Sequence, residues 1–126
     1  LRVKLKYLDQ WNKRRREIAK FYNENLKGFV LPIEKSYAKH VYHLYVIRSK
    51  KRDKLKEFLK SEKIGTEIHY PIPMHLQPAY KDLNIKEGSL PITEMFSKEI
   101  LSIPMYPELK EEELNKIVGL MNKFES

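Results

Sequence analysis

The 126-residue sequence contains no cysteine, which excludes a disulfide framework, a thiol nucleophile and thiolate metal sites together. Glycine is scarce and scattered: Gly28, Gly65, Gly88 and Gly119 never cluster into a loop that cradles phosphates. The serines lack the Gly-x-Ser-x-Gly setting of a nucleophile elbow. No apolar run approaches the roughly 20 residues that span a bilayer, and no basic-then-apolar leader opens the chain. The expectation is a soluble, cytoplasmic protein with no membrane partner. Internal repeats and low-complexity stretches are also missing. What is present, 41% hydrophobic and 11% aromatic residues, suffices to fill the core of one ordinary domain, expected over residues 1–126.

Negative charge is scarce in the first half. Residues 1–60 hold 18 basic and 6 acidic side chains (+12), residues 61–126 hold 7 and 11 (−4), and the whole chain carries +8. A basic half can neutralise phosphates, so a nucleic-acid-binding module is one reading. Along a helix, however, each residue turns by about 100°, so Lys13, Arg14, Arg15 and Arg16 point in four directions instead of forming a stripe. A helix surface, solvated or packed on a partner, is the favoured reading and nucleic acid the alternative.

Leu1, Leu5, Leu8, Trp11, Ile18, Tyr22 and Leu26 recur at helical spacing, predicting one connecting helix over 1–27 that Gly28 caps. Its apolar period already runs at Leu1 with no capping residue before it, so a helix that starts further upstream is expected. Phe29–Ile33 is a short extended piece. Val41–Arg48 alternates as a central strand, with Val41, His43, Tyr45 and Ile47 on one face and Tyr42, Leu44, Val46 and Arg48 on the other. A helix follows over 50–63, with Ser49 as cap and Leu55, Phe58 and Leu59 inward. Thr66–Tyr70 is β-prone, and Pro71, Pro73 and Pro78 impose an irregular loop. A single helical turn over 79–83 leads to a helix over 91–101 with Met95, Phe96 and Ile100 inward. A strand over 101–105 precedes a last helix over 110–124 that buries Leu114, Ile117, Val118, Met121 and Phe124. Helices alternating with three or four short strands predict an α+β layer structure.

The segment Glu67 to Tyr80, EIHYPIPMHLQPAY, packs two His, two Tyr and three Pro into a loop that follows a strand. Such a loop loses little entropy on binding and offers donors, acceptors and aromatic faces to a polar ligand. It equally suits a shaped crossover whose His and Tyr bond to nearby backbone. The four histidines lack ligand spacing, because His40 and His43 face opposite sides of the strand approach and His69 and His75 flank two prolines, so no metal site is expected. No complete catalytic constellation emerges from the residues alone.

Taken in order, LKYLDQWNKRRREIAKFYNENL at 5–26, HVYHLYVIR at 40–48, RDKLKEFL at 52–59, IGTEIHYPIPMHLQPAY at 64–80 and LSIPMYPEL at 101–109 cover nearly the whole chain. Their combination resembles the C-terminal portion of the DegT/DnrJ/StrS-type sugar aminotransferases. The resemblance implies the C-terminal small domain of an aspartate-aminotransferase-like, type I pyridoxal-phosphate fold. A long N-terminal helix and further helices would pack on a small, mainly antiparallel sheet. It implies that the parent aminates a nucleotide-linked keto-sugar in polysaccharide or cell-surface sugar biosynthesis, with glutamate or glutamine as amino donor, and that it works as a homodimer.

In that family the cofactor-linking lysine, the acidic partner of the pyridine nitrogen and most phosphate contacts belong to the large domain, upstream of anything here. None of the 19 lysines of this chain stands in a matching context. The expectation is therefore a part of an enzyme without catalytic residues of its own, inactive alone, with no pyridoxal phosphate bound to it in isolation. His69, Tyr70 and Pro71 match the loop that approaches the sugar-nucleotide pocket, and His75 and Gln77 complete the motif. Substrate contact is expected first from His69 and Tyr70, while His75 is equally suited to packing. His43 and Tyr45 match the strand motif, where a structural role is favoured. A non-catalytic interaction or regulatory domain derived from such an enzyme is the other alternative.

Overall fold

A computed structural model describes residues 1–125; Ser126, the last residue of the expected domain, lies outside the described residues. The elements are helices α1 (Arg2–Leu5) and α2 (Leu8–Asn25), strand β1 (Tyr45–Arg48), helix α3 (Arg52–Ser61), helix α4 (Pro91–Glu99), strand β2 (Ile100–Ile103) and helix α5 (Glu111–Glu125). Two 3₁₀ segments, Met74–Leu76 and Pro78–Leu83, lie in the long connection after α3.

β1 and β2 are antiparallel, pairing Tyr45 with Ile103, Val46 with Ser102, Ile47 with Leu101 and Arg48 with Ile100. Isolated antiparallel bridges extend this sheet on both sides, Val30 to Arg48 and Glu67 to Ser102. β1 is therefore central, as its two apolar faces suggest. Tyr45, Ile47, Leu101 and Ile103 lie on the core face, buried with Ile18 and Tyr22 of α2, Leu55 and Leu59 of α3, and Leu114, Ile117 and Met121 of α5. Burial of these side chains is the main stabilising term, at about 1.5–3 kcal/mol for each fully buried one. Phe124 completes α5 from the margin, half-buried with its ring 5.6 Å from that of Phe58.

Several sequence expectations are corrected. The helix expected over 1–27 breaks at Lys6 and Tyr7, and Leu1, Leu5 and Leu8 are exposed; only from Trp11 onward does the apolar stripe meet the protein. Gly28 does not cap α2. The helix ends at Asn25 because Asn122 of α5 donates to the Asn25 carbonyl at 2.9 Å and accepts the Lys27 N–H at 2.9 Å, turning the chain there. The strand starts at Tyr45 rather than Val41, because Tyr42 adopts φ +49° and its N–H bonds to His40 Nδ1 at 2.8 Å. That reversal breaks the alternation, so the Tyr42 ring is buried and stacks with Tyr45, on the side assigned to the other face.

α3 is shorter than expected, and Ser49 accepts the Lys51 N–H in the turn ahead of it instead of capping the helix itself. Met95 and Phe96 face outward, whereas Glu94 and Ser97 are the buried residues of α4. The strand expected over 101–105 begins at Ile100 and ends at Ile103. The proline-rich loop is not wholly irregular, since its centre winds into the two 3₁₀ segments.

Several buried polar groups find partners on other elements. Arg52 on α3 donates to the carbonyls of Ser97 at 3.2 Å and Ile100 at 3.0 Å, placing a guanidinium at the negative C-terminal end of α4. Arg48 forms a bond to Glu99 at 2.8 Å and lies 3.9 Å above the Phe96 ring. The basic run of α2 serves the fold as well. Arg14 donates to the Leu109 carbonyl at 2.9 Å, and Arg16 binds Glu34 at 2.6 Å and the His40 carbonyl at 2.7 Å. The Arg16 hydrogen bond, helped by the His40 N–H, holds the Glu34 carboxyl below its ordinary range.

Candidate functional site

The site expected in the loop after residue 66 is built outward from the sheet edge. Glu67 pairs with Ser102 through both backbone bonds, at 3.1 and 2.7 Å, an isolated bridge that lays the chain beside β2. Two residues on, the chain bends at His69 and places its ring beside the Ser102 hydroxyl. There His69 Nδ1 lies 2.9 Å from Ser102 Oγ. Ser102 is only 5% exposed, while the His69 ring is half-buried.

Tyr70 turns outward. It is 69% exposed, and its ring stands edge-on to that of His69, with centroids 5.7 Å apart and planes at 82°. His69 and Tyr70 thus present a polar and an aromatic surface side by side, which suits a ligand with both hydrogen-bonding and stacking groups.

Gln77 donates its side-chain amide to the Ile72 carbonyl at 3.3 Å, closing the loop on itself. His75 is drawn inward: it is 7% exposed and its Nε2 lies 3.0 Å from Glu94 Oε1. Its Nδ1 is buried with no hydrogen-bond partner among the described residues. On the outer side of this turn a cleft of about 510 Å³ is lined by His75, Gln77, Lys81, Asn84 and Lys86, among others. His69 and Tyr70 therefore form one small group, and His75 and Gln77 a second around the 3₁₀ turn. His43 is exposed, and Tyr45 is fully buried with its hydroxyl 2.5 Å from Asn23 Oδ1.

Ser102 and Glu94 are the residues that sequence reasoning missed. Ser102 left one signal, a lone hydroxyl within the apolar Ile-Leu-Ser-Ile of β2. Glu94 left none, because a carboxylate on a short amphipathic helix reads as solvated surface.

A Ser–His pair at 2.9 Å has the spacing of a nucleophile and its base, but Ser102 is buried, which leaves its hydroxyl little access to a substrate. No group of three or more His, Asp or Glu that could hold a metal occurs among the described residues. No described helix is long and apolar enough to cross a membrane. The lysine that links pyridoxal phosphate is activated by desolvation or by a neighbouring cation. All 19 lysines are at least partly exposed, so burial singles out none of them for that role.

A profile of the DegT/DnrJ/EryC1/StrS aminotransferase family matches residues 1–122. The pleiotropic regulatory protein of Geobacillus stearothermophilus is 44% identical, over 98% of this chain and 35% of its own length. The dTDP-3-amino-3,6-dideoxy-alpha-D-galactopyranose transaminase of Aneurinibacillus thermoaerophilus is 41% identical, over 98% of this chain and 34% of its own. The crystal structure of S. venezuelae DesV in complex with ketimine intermediate superposes with a TM-score of 0.95 at 35% identity, over 99% of this chain and 34% of that one. The α+β fold read from the sequence is thus that of one part of the aminotransferase fold, and the chain spans about a third of the length of the relatives it matches.

Proposed function

Because the chain belongs to the DegT/DnrJ/EryC1/StrS aminotransferase family, we propose that it acts as the C-terminal small domain of a pyridoxal-phosphate-dependent enzyme that aminates a nucleotide-linked keto-sugar. The observation that carries this reading is the TM-score of 0.95 over 99% of this chain on only 34% of a relative's. Exposed apolar side chains support it: Tyr70, Ile72, Met74, Leu83 and Ile92 present a surface that a large domain would cover. When bound to the whole enzyme, pyridoxal phosphate supplies the electron sink for amino transfer. The large domain holds that group, and the parent pairs as a homodimer.

This chain's own contribution is to wall and orient the sugar nucleotide. His69 hydrogen-bonds the sugar, Tyr70 covers it, and the Gln77 turn, packed through His75, holds the loop in place. Lys81 and Lys86 beside the cleft attract the diphosphate. Residues 1–27 connect the two domains. With Arg14 and Arg16 engaged within the protein, the basic half serves packing more than nucleic acid.

Titrating the chain with dTDP-glucose while recording amide NMR shifts tests the reading. Shifts confined to residues 67–86, weakened in His69→Ala and Tyr70→Ala, are expected; a silent loop overturns it. Pyridoxal phosphate followed by borohydride should leave no stoichiometric adduct on any single lysine. The name of the 44% identical relative favours a second reading, a non-catalytic regulatory domain. That reading predicts binding to an intact paralogue without any sugar-nucleotide shift.

A further inference from the structure

β2 buries one hydroxyl, that of Ser102, and a buried hydroxyl calls for a partner. Its partner is a side chain on a neighbouring strand segment, His69 Nδ1 at 2.9 Å. The backbone brings the two side chains together. Ser102 is flanked by Val46 in the β1 ladder on one side and by Glu67 on the other, and the two Glu67 backbone bonds stand two positions ahead of His69 in the chain. Only Ile68 separates the bridge from His69, so the bridge brings the ring close to the Ser102 hydroxyl.

Imidazole has two nitrogens, and the hydrogen bond made by one decides which carries the proton on the other. We propose that Ser102 is a positioning residue for His69. Its hydroxyl donates to Nδ1, holding the neutral ring as the Nε2–H tautomer and aiming that N–H at an acceptor oxygen of the sugar nucleotide. This rests on the reading of His69 as a ligand contact. Ser102 touches no ligand and acts only through the ring.

Thr and Val at position 102 have the same shape and differ by the hydroxyl, and both suit a strand, so the pair separates hydrogen bonding from packing. The full chain, ¹⁵N-labelled, is examined as wild type, Ser102→Thr and Ser102→Val, recording the His69 ring nitrogen shifts near neutral pH and the affinity for dTDP-glucose. The wild type and Ser102→Thr should hold the Nε2–H tautomer. Ser102→Val should mix the tautomers and bind about three- to tenfold more weakly, the range of one neutral hydrogen bond. Thr and Val variants with the same His69 tautomer ratio overturn the proposal, as does an Nδ1–H tautomer in the wild type. If instead the tautomer follows the hydroxyl while His69→Ala binds dTDP-glucose unchanged, Ser102 still orients the ring and His69 as a ligand contact is what fails.

Discussion

Nε2 of the buried His75 lies 3.0 Å from Oε1 of Glu94, and the same carboxylate accepts the Gly88 N–H on both oxygens at 2.9 Å and the Leu90 N–H at 3.2 Å. Glu94 sits in the first turn of α4. One side chain therefore ties down the entry to that helix, where free N–H groups favour negative charge, and fastens the proline-rich loop through His75. The two halves of the long connection, 71–78 and 84–90, meet at this carboxylate.

The pH dependence follows from that arrangement. The Gly88 N–H, with help from His75 and Leu90, holds the Glu94 carboxyl below its ordinary value against the opposing effect of burial. A group whose folded pKa is lowered adds stability that is fully present above its unfolded value, about 4.3 for Glu, and is lost as pH falls through the folded value. Wild type should therefore exceed Glu94→Gln in stability at neutral pH, and the gap should close as pH drops below about 4. Urea melts of both proteins between pH 3 and 7 check this. A gap that stays constant across the range would show that the charge contributes nothing.

Arg52 offers a second test, since its guanidinium reaches two carbonyls at the end of α4 from a position that is 7% exposed. Removing it in Arg52→Leu orphans both acceptors and should cost about 2–4 kcal/mol. Arg52→Lys should recover less than half, because a single ammonium does not reproduce the planar fork that spans two oxygens. Urea midpoints at constant slope measure both effects.

How much could be read ahead of the structure depends on the range of the interactions involved. α5 and the core face of β2 follow their local periods, because the residues they bury are apolar and local pattern reports apolar burial. Glu94, Ser97 and Arg52 are buried for the opposite reason: each is polar, Arg52 and Glu94 being satisfied across elements and Ser97 by the Glu94 carbonyl one turn back, so hydropathy turns them outward. Tyr42 escapes the alternating pattern because its reversal depends on His40, which is itself held by the Arg16–Glu34 pair, and that pair lies outside any window around the strand. The loop motif at 67–80 was legible as a unit, yet which of its histidines faces outward was settled by Ser102 and Glu94, from strand β2 and helix α4.

Tyr22 and Tyr45 make a matched pair for measuring a buried hydroxyl. Both rings are fully buried and 4.9 Å apart, and burial pushes both phenols well above their ordinary range. Tyr22 donates to the Pro104 carbonyl at 2.9 Å, an acceptor that Tyr22→Phe leaves without that donor. Tyr45 donates to Asn23, whose exposed side chain turns to water once released. Tyr22→Phe should therefore cost about 1–2 kcal/mol and Tyr45→Phe less than 1 kcal/mol. Equal losses in urea denaturation would count against the role given to Pro104.

Backbone conformation supplies the last test, because two left-handed positions carry opposite residue types. Lys63 follows α3 at φ +62°, with the Ile64 N–H closing back on the Leu59 carbonyl at 2.8 Å, the geometry in which helices end on glycine. An L side chain there strains the backbone by roughly 1 kcal/mol. Lys63→Gly removes that strain while loosening the unfolded chain, so a small net gain of up to about 0.5 kcal/mol is expected. Gly28 is the reverse case. It sits at φ +81°, and a Cβ there would approach Glu125 Cβ to 3.1 Å, so Gly28→Ala meets both the dihedral strain and a crowded neighbour. A loss of about 1–3 kcal/mol is expected. Measured side by side in urea, Lys63→Gly should shift the midpoint up or leave it level and Gly28→Ala should shift it down. A destabilising Lys63→Gly would mean that the lysine side chain contributes more to this turn than its backbone geometry takes away.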